Sequence, residues 1–227
     1  MQQQALDLPV TPRYGFETFI SCTGNATALE FSRRIADPAE AETLLYLYGP
    51  SGCGKTHLLH AIGRQAAGAS YRIISCRELH LPLAPSGGLL LIDDLDQLPD
   101  QPEQRLALWE AFNQQYSRGE RLALAGRLPP RDLPGLDDHL ISRLLWGLVA
   151  HLDVSDDQSR RMLMAKLAQD RQIVLPDEVA AWMLTVLPRD VGALVVICDR
   201  LYRAALERKC RITLRLARDL VLNNSLR

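Results

Sequence analysis

Eight consecutive residues, Gly49-Pro50-Ser51-Gly52-Cys53-Gly54-Lys55-Thr56, follow the pattern G-x-x-x-x-G-K-[ST]. Glycines in such a run let the backbone curl until successive N–H groups point at one anion. A lysine directly after the last glycine brings an ammonium to the β and γ phosphates of a nucleotide, and the hydroxyl behind it is a ligand for Mg²⁺. A second group of candidates is the carboxylate pair Asp93-Asp94, which closes the apolar run Leu89-Leu90-Leu91-Ile92. Downstream of a phosphate loop, Asp93 would hold Mg²⁺ through water and Asp94 would orient or deprotonate an attacking water. The chemistry implied is the binding of ADP or ATP with Mg²⁺.

That chemistry needs a strand before the loop and a helix after it. The run LLYLY (44–48) supplies the strand, and a helical pattern from Lys55 to about Gln65 supplies the helix. Further apolar runs mark strands at 71–75, 89–92, 121–125 and 148–152. Between them, Leu106, Trp109, Phe112 and Tyr116 give helical spacing over 103–117, and a helix is expected over 137–145. Continuous apolar strands alternating with helices specify an α/β fold, a five-stranded parallel sheet flanked by helices. After Val154 the strand pattern stops. Helical stretches near 156–171, 176–187, 190–208 and 214–223 predict a small all-helical C-terminal lid. The expected organisation is an extended arm over 1–20, a nucleotide-binding α/β domain over 21–154 and the lid over 155–227.

Composition excludes several other classes. Among 227 residues, 26 Lys and Arg nearly cancel 27 Asp and Glu, which argues against a stand-alone nucleic-acid binder that relies on bulk charge. No apolar run is long enough to span a membrane, and the N-terminus lacks a signal-peptide pattern. The five cysteines, at 22, 53, 76, 198 and 210, form no C-x-x-C pair, so a zinc or disulfide framework is not expected and a reducing cytoplasm fits. One charge feature stands apart: Arg200, Arg203, Arg208, Lys209, Arg211, Arg215 and Arg218 crowd together, as a solvated helix face or as a contact for a partner or DNA.

With these motifs placed, the chain resembles the AAA+ ATPases, and within them the DnaA initiator family. Tyr14-Gly15-Phe16-Glu17-Thr18-Phe19 with Gly24-Asn25 is similar to the segment that precedes the initiator's ATPase core. Gly54-Lys55-Thr56-His57-Leu58-Leu59-His60-Ala61-Ile62-Gly63 and Leu91-Ile92-Asp93-Asp94 are close to the initiator's own wording. The resemblance places His57 with the nucleotide site. Ser142-Arg143-Leu144-Leu145-Trp146-Gly147-Leu148 resembles the family's SRF-x-WGL segment, which makes Arg143 the arginine that reaches a neighbouring subunit's nucleotide.

The chain ends where the lid ends, so the initiator's sequence-specific DNA-binding domain is not expected. Gln3-Gln4-Ala5-Leu6-Asp7-Leu8-Pro9 is similar instead to the sliding-clamp-binding peptide of Hda-type regulators. In that reading Leu6 and Leu8 enter an apolar pocket, Gln3 hydrogen-bonds at its rim and Pro9 follows. Two positions depart from the family pattern. Where a polar sensing residue is usual after the fourth strand, this chain has Ala125-Gly126-Arg127; in the lid, Gly192 falls where an arginine is expected, with Arg189 one turn earlier as its substitute or as the sensor itself. The resemblance implies a cytoplasmic AAA+ regulator that docks on the clamp, as a monomer or a homodimer, and promotes hydrolysis of initiator-bound ATP. An autonomous ATPase such as a helicase loader, or a nucleotide-binding scaffold, is the alternative.

Overall fold

A computed structural model describes residues 14–66, 70–81, 83, 87–136 and 138–222. The clamp-peptide residues Gln3, Leu6, Leu8 and Pro9 lie outside the described residues. The chain divides into two compact units, with the boundary between Asp153 and Val154.

The first unit is built on five parallel strands, β1 (Leu44–Tyr48), β2 (Tyr71–Ser75), β3 (Leu89–Asp93), β4 (Leu122–Gly126) and β5 (Leu148–His151), in the order β2-β3-β4-β1-β5. Strands β1, β3 and β4 are buried along nearly their whole length, so both sheet faces must be covered. Alternate residues do this on each side. Leu44, Tyr46, Leu90, Ile92, Leu122 and Leu124 pack with Leu108 and Phe112 of α3 (Pro102–Ser117) and with Leu140 and Leu144 of α4 (Asp138–Leu144). The opposite face meets α1 (Ala26–Ala36) and α2 (Lys55–Gln65). Crossovers from β1 run out to the far edge and return, which leaves the carboxyl ends of β1, β3 and β4 side by side. In open α/β sheets that edge is where ligands bind.

The strands and the helices from α2 onward lie where apolar runs and spacing put them, with ends shifted by a residue or two. Helix α1 was not anticipated. Its buried stripe is Ala28, Leu29, Ser32, Ile35 and Ala36, too rich in small residues to stand out as an apolar run. Residues 14–20, expected as part of an extended arm, fold into turns within the first unit. The correction has a physical cause: Tyr14 stacks on His60 with ring centroids 4.9 Å apart, and the Thr18 hydroxyl donates to the Gly15 carbonyl at 3.0 Å.

The second unit contains α5 (Asp157–Asp170), α6 (Asp177–Val186), α7 (Val191–Glu207) and α8 (Leu214–Leu222). Its core includes Met164, Val179, Met183, Leu194, Cys198, Leu201 and Tyr202. Arg160 is fully buried and donates to the carbonyls of Leu184 (3.4 Å), Leu187 (3.2 Å) and Pro188 (3.0 Å). These carbonyls close the end of α6, where intrahelical donors run out. Arg160→Ala would strand three acceptors and open a void, lowering stability by about 3 kcal/mol. Urea unfolding checks this: an unchanged midpoint would mean that water satisfies those carbonyls instead.

Candidate nucleotide-binding site

The loop between β1 and α2 is held in a conformation that only its glycines permit. Gly49 has φ of 152°, and a Cβ there would lie 2.2 Å from the Leu152 carbonyl oxygen. Gly54, the N-cap of α2, has φ of 105°. Helix α2 begins at Lys55 with no acidic residue in its first turn, so its free N–H groups and positive dipole end face the loop without an internal counter-charge. Pro50, Ser51, Gly52 and Thr56 are exposed around the buried Cys53 and Lys55. Lys55 Nζ donates to the carbonyls of Gly49 and Pro50, each at 2.7 Å, and lies 3.6 Å from Cys53 Sγ. Burial raises the Cys53 thiol above its ordinary pKa, although the Lys55 ammonium opposes the shift.

Thr56 and Asp93 come together as the spacing implied. The Thr56 hydroxyl donates to Asp93 Oδ2 at 2.5 Å, and the Asp94 backbone N–H donates to Asp93 Oδ1 at 2.8 Å. Burial pushes the Asp93 carboxyl up from the usual range, against the pull of the two hydrogen bonds, and the Asp94 charge adds to the rise. This donor set fits Mg²⁺, which takes one or two protein oxygens and completes its shell with water and phosphate. The loop, the helix end, Lys55, Thr56 and Asp93 together fit an Mg-nucleotide.

Two residues are placed differently from the expectation. Asp94 adopts a left-handed backbone (φ of 55°), and its carboxylate pairs with Arg77 Nε at 2.9 Å. Arg77 follows β2 and nothing in its sequence neighbourhood marks it. His57 turns to the 14–19 segment: its Nε2 lies 2.9 Å from the Gly15 carbonyl and 3.3 Å from the Thr18 hydroxyl, and its ring meets Tyr14 and Phe19 edge-on. Burial lowers its pKa, opposed by Gly15 and Glu17. A neutral His57 therefore anchors the N-terminal turns on α2.

The space beside Gly126, at the end of β4, is filled from β1. A Cβ on Gly126 would lie 2.5 Å from the Tyr46 hydroxyl, which donates to the Leu128 carbonyl at 2.6 Å. Beside it, Asp96 accepts from the Arg127 backbone N–H at 2.9 Å and lies 3.6 Å from Arg127 Nε. Burial and the Asp96 charge both hold the proton on Tyr46. In the lid, Gly192 sits in the first turn of α7, after the N-cap Asp190. Arg189 precedes that helix, is exposed and lies 3.7 Å from Asp157.

Arg143, near the end of α4, has its guanidinium carbon 5.0 Å from the Trp109 ring centre and 5.8 Å from that of Tyr116. The two rings belong to a row of parallel aromatics on α3, Trp109, Phe112 and Tyr116, already visible as helical spacing. No carboxylate among the described residues pairs with Arg143. Its charge is thus held in place by π faces, worth roughly 0.5–2 kcal/mol, without being neutralised. Trp146, nearby and 68% exposed, continues the aromatic surface.

The site makes a direct prediction. Lys55→Ala removes a charge-assisted contact worth roughly 1.5–3 kcal/mol, so ADP and ATP affinity should fall about 10- to 100-fold. Calorimetry showing unchanged affinity would mean that the loop does not hold phosphate.

Comparison with known proteins is consistent across sequence and structure. The family described as the bacterial DnaA ATPase domain matches residues 10–74 and 84–151, and the one described as the Hda lid domain matches residues 156–221. The chromosomal replication initiator protein DnaA of Clavibacter sepedonicus is 31% identical over 208 residues, covering 83% of this chain and 44% of that protein. DnaA of Caldanaerobacter subterraneus is 28% identical over 242 residues, covering 95% of this chain and 54% of that protein. The chain thus spans about half the length of the curated relatives it matches. Domain III of the Thermotoga maritima DnaA superposes with a TM-score of 0.82 at 24% identity, covering 95% of this chain and 98% of that one. AMPPCP-bound DnaA from Aquifex aeolicus gives 0.71 at 23% identity, covering 87% and 69%. At these identities the structures speak for the fold, and the fold is that of an AAA+ ATPase with a helical lid.

Proposed function

The chain belongs to the bacterial DnaA ATPase-domain family, and from that membership we propose that it is a nucleotide-binding regulator of replication initiation. It docks on the polymerase sliding clamp through residues 3–9 and promotes hydrolysis of ATP held by the DnaA initiator. The observation that carries this reading is Arg143, an unneutralised cation positioned by Trp109 and Tyr116 on the outer helices of the sheet. The match of residues 156–221 to the Hda lid supports a regulator over an initiator.

Within its own site, Lys55 and the N–H groups of the loop bind phosphate, and Thr56 with Asp93 holds Mg²⁺. The Aquifex DnaA binds AMPPCP, which supports a nucleotide here. Bound Mg-nucleotide supplies a γ-phosphoryl whose developing charge must be met by donors placed in advance. Gly126 offers no such side chain, and Gly192 offers none from the lid. Binding therefore outlives catalysis, because ground-state and transition-state contacts are separable. Asp94 is held by Arg77 through Oδ2, which fixes the carboxylate that would orient water.

Arg143 acts on the partner: a guanidinium brought to a neighbour's γ-phosphoryl stabilises the charge that builds there. The decisive assay mixes initiator loaded with ATP, clamp on DNA and this chain, and follows released phosphate. Stimulation requiring all three components is expected, with turnover by the chain alone well below about 1 s⁻¹. A chain that turned over ATP by itself at that rate would be the autonomous ATPase instead.

A further inference from the structure

Most described lid cations before the end of α7 are paired, while Arg161 of α5 is exposed without an ion pair among the described residues. Arg160 and Arg189 meet Asp157, Lys166 meets Asp170, and Arg171 meets Asp199. Across the end of α7, the turn after it and α8, the pattern changes. Arg203, Arg208, Lys209, Arg211, Arg215 and Arg218 are all exposed, and none forms an ion pair among the described residues. Arg218 alone has an aromatic neighbour, with its guanidinium carbon 5.9 Å from the centre of Trp182. Helices α7 and α8 pack together, burying Leu201, Tyr202, Ala204, Ala205, Ile212, Leu216 and Ala217 between them and the lid core, so the cations lie on the outer side of one helix pair.

Stability does not account for this arrangement. Arg208 and Lys209 suit the carboxyl end of α7, but Arg215 stands in the first turn of α8, where the helix dipole opposes a cation. The chain as a whole is near neutral, yet residues 154–227 hold 13 Lys and Arg against 9 Asp and Glu. The surplus is local and turned outward.

We propose that this outer face of α7 and α8 binds the phosphate backbone of duplex DNA without reading its sequence. Five of the six cations are arginine, whose planar fork suits phosphate oxygens. Stacking on single strands needs accessible aromatic faces. The lid provides none beside these cations: Tyr202 is buried, and Trp182 is half-buried beneath Arg218. That favours a duplex over a single strand. The inference does not depend on the clamp reading.

Fluorescence anisotropy with a labelled duplex of arbitrary sequence tests it on the full chain. With six cations, the slope of log affinity against log salt reaches at most about −5, so affinity falls by up to about three decades between 50 and 200 mM salt. Reversing Arg203, Arg211 and Arg215 to Glu should weaken binding at 50 mM salt by at least about 100-fold and make the slope shallower by about 2.7. The matched control, Arg118→Glu, Arg131→Glu and Arg161→Glu, changes net charge equally on exposed residues outside the patch and should lose far less. An unchanged melt and unchanged ADP affinity establish that both variants fold, and a glutamine version of the patch variant should weaken binding by a smaller factor in the same direction. Equal losses in patch and control variants would overturn the assignment, as would tighter binding of a single strand of equal length. So would retention of the chain on polyglutamate without any duplex binding, which would mark the face as one for an acidic protein.

Discussion

Stimulation of the initiator's ATPase should vanish in Arg143→Ala, while the variant's own affinity for nucleotide stays intact. A trans-acting arginine contributes about 10³–10⁵ in rate, because it meets charge that appears only in the transition state. The separation of effects follows from position. Arg143 lies on α4 and rests on Trp109 and Tyr116, whereas Lys55, Thr56 and Asp93 make their own contacts at the loop. Loss of the aromatic contact costs roughly 0.5–2 kcal/mol, too little to unfold the unit. Arg143→Lys should rescue poorly, since an ammonium can neither stack as a plane nor bond phosphate as a fork. The measurement is phosphate release from initiator, clamp and DNA with each variant, beside calorimetry of ADP binding. Full stimulation by the alanine variant would remove Arg143 from the mechanism.

Deleting residues 1–9 should eliminate clamp association and leave the thermal melt almost where it was. Burying Leu6 and Leu8 contributes at most about 1.5–3 kcal/mol each, less the side-chain entropy that burial removes. Together that is at most about 3–6 kcal/mol, so one segment binds no tighter than tens of micromolar and the deletion weakens association by about 10²–10⁴-fold. A dimer on a clamp with several pockets would bind more tightly by avidity, so the deletion should be compared at matched oligomeric state. Size-exclusion chromatography with clamp reads the result directly. Co-elution of the truncated chain at wild-type affinity would place the contact elsewhere.

The fold was legible because its strands are short, apolar and punctuated. LLYLY before GPSG and LLLI before two aspartates could be little else than buried strands feeding loops. The phosphate loop and the Thr56–Asp93 contact were legible for the same reason, since a local pattern fixes both the backbone shape and the side chains it carries. What escaped was long-range pairing. Nothing around Arg77 announces that it will meet Asp94, and nothing in β1 announces that Tyr46 will occupy the space beside Gly126. Trp109 and Tyr116 were visible as a helical stripe, and only the packing of α4 brings Arg143 over them. His57 was assigned by resemblance to the nucleotide, whereas its neighbours are the turns at 14–19.

The Tyr46 hydroxyl, 2.5 Å from where a Gly126 side chain would begin, also constrains the order in which substitutions at the two positions can be accepted. Gly126→Asn as a first step drives its new atoms into that hydroxyl. Tyr46→Phe as a first step frees the space, since the next ring carbon is 3.5 Å away, and only leaves the Leu128 carbonyl without its donor. A polar side chain can therefore be introduced at position 126 by one order of events and not by the other. The two sites are thus epistatic: Gly126→Asn fits only a chain that already carries Tyr46→Phe, a first step that by itself gives no new contact and removes one hydrogen bond.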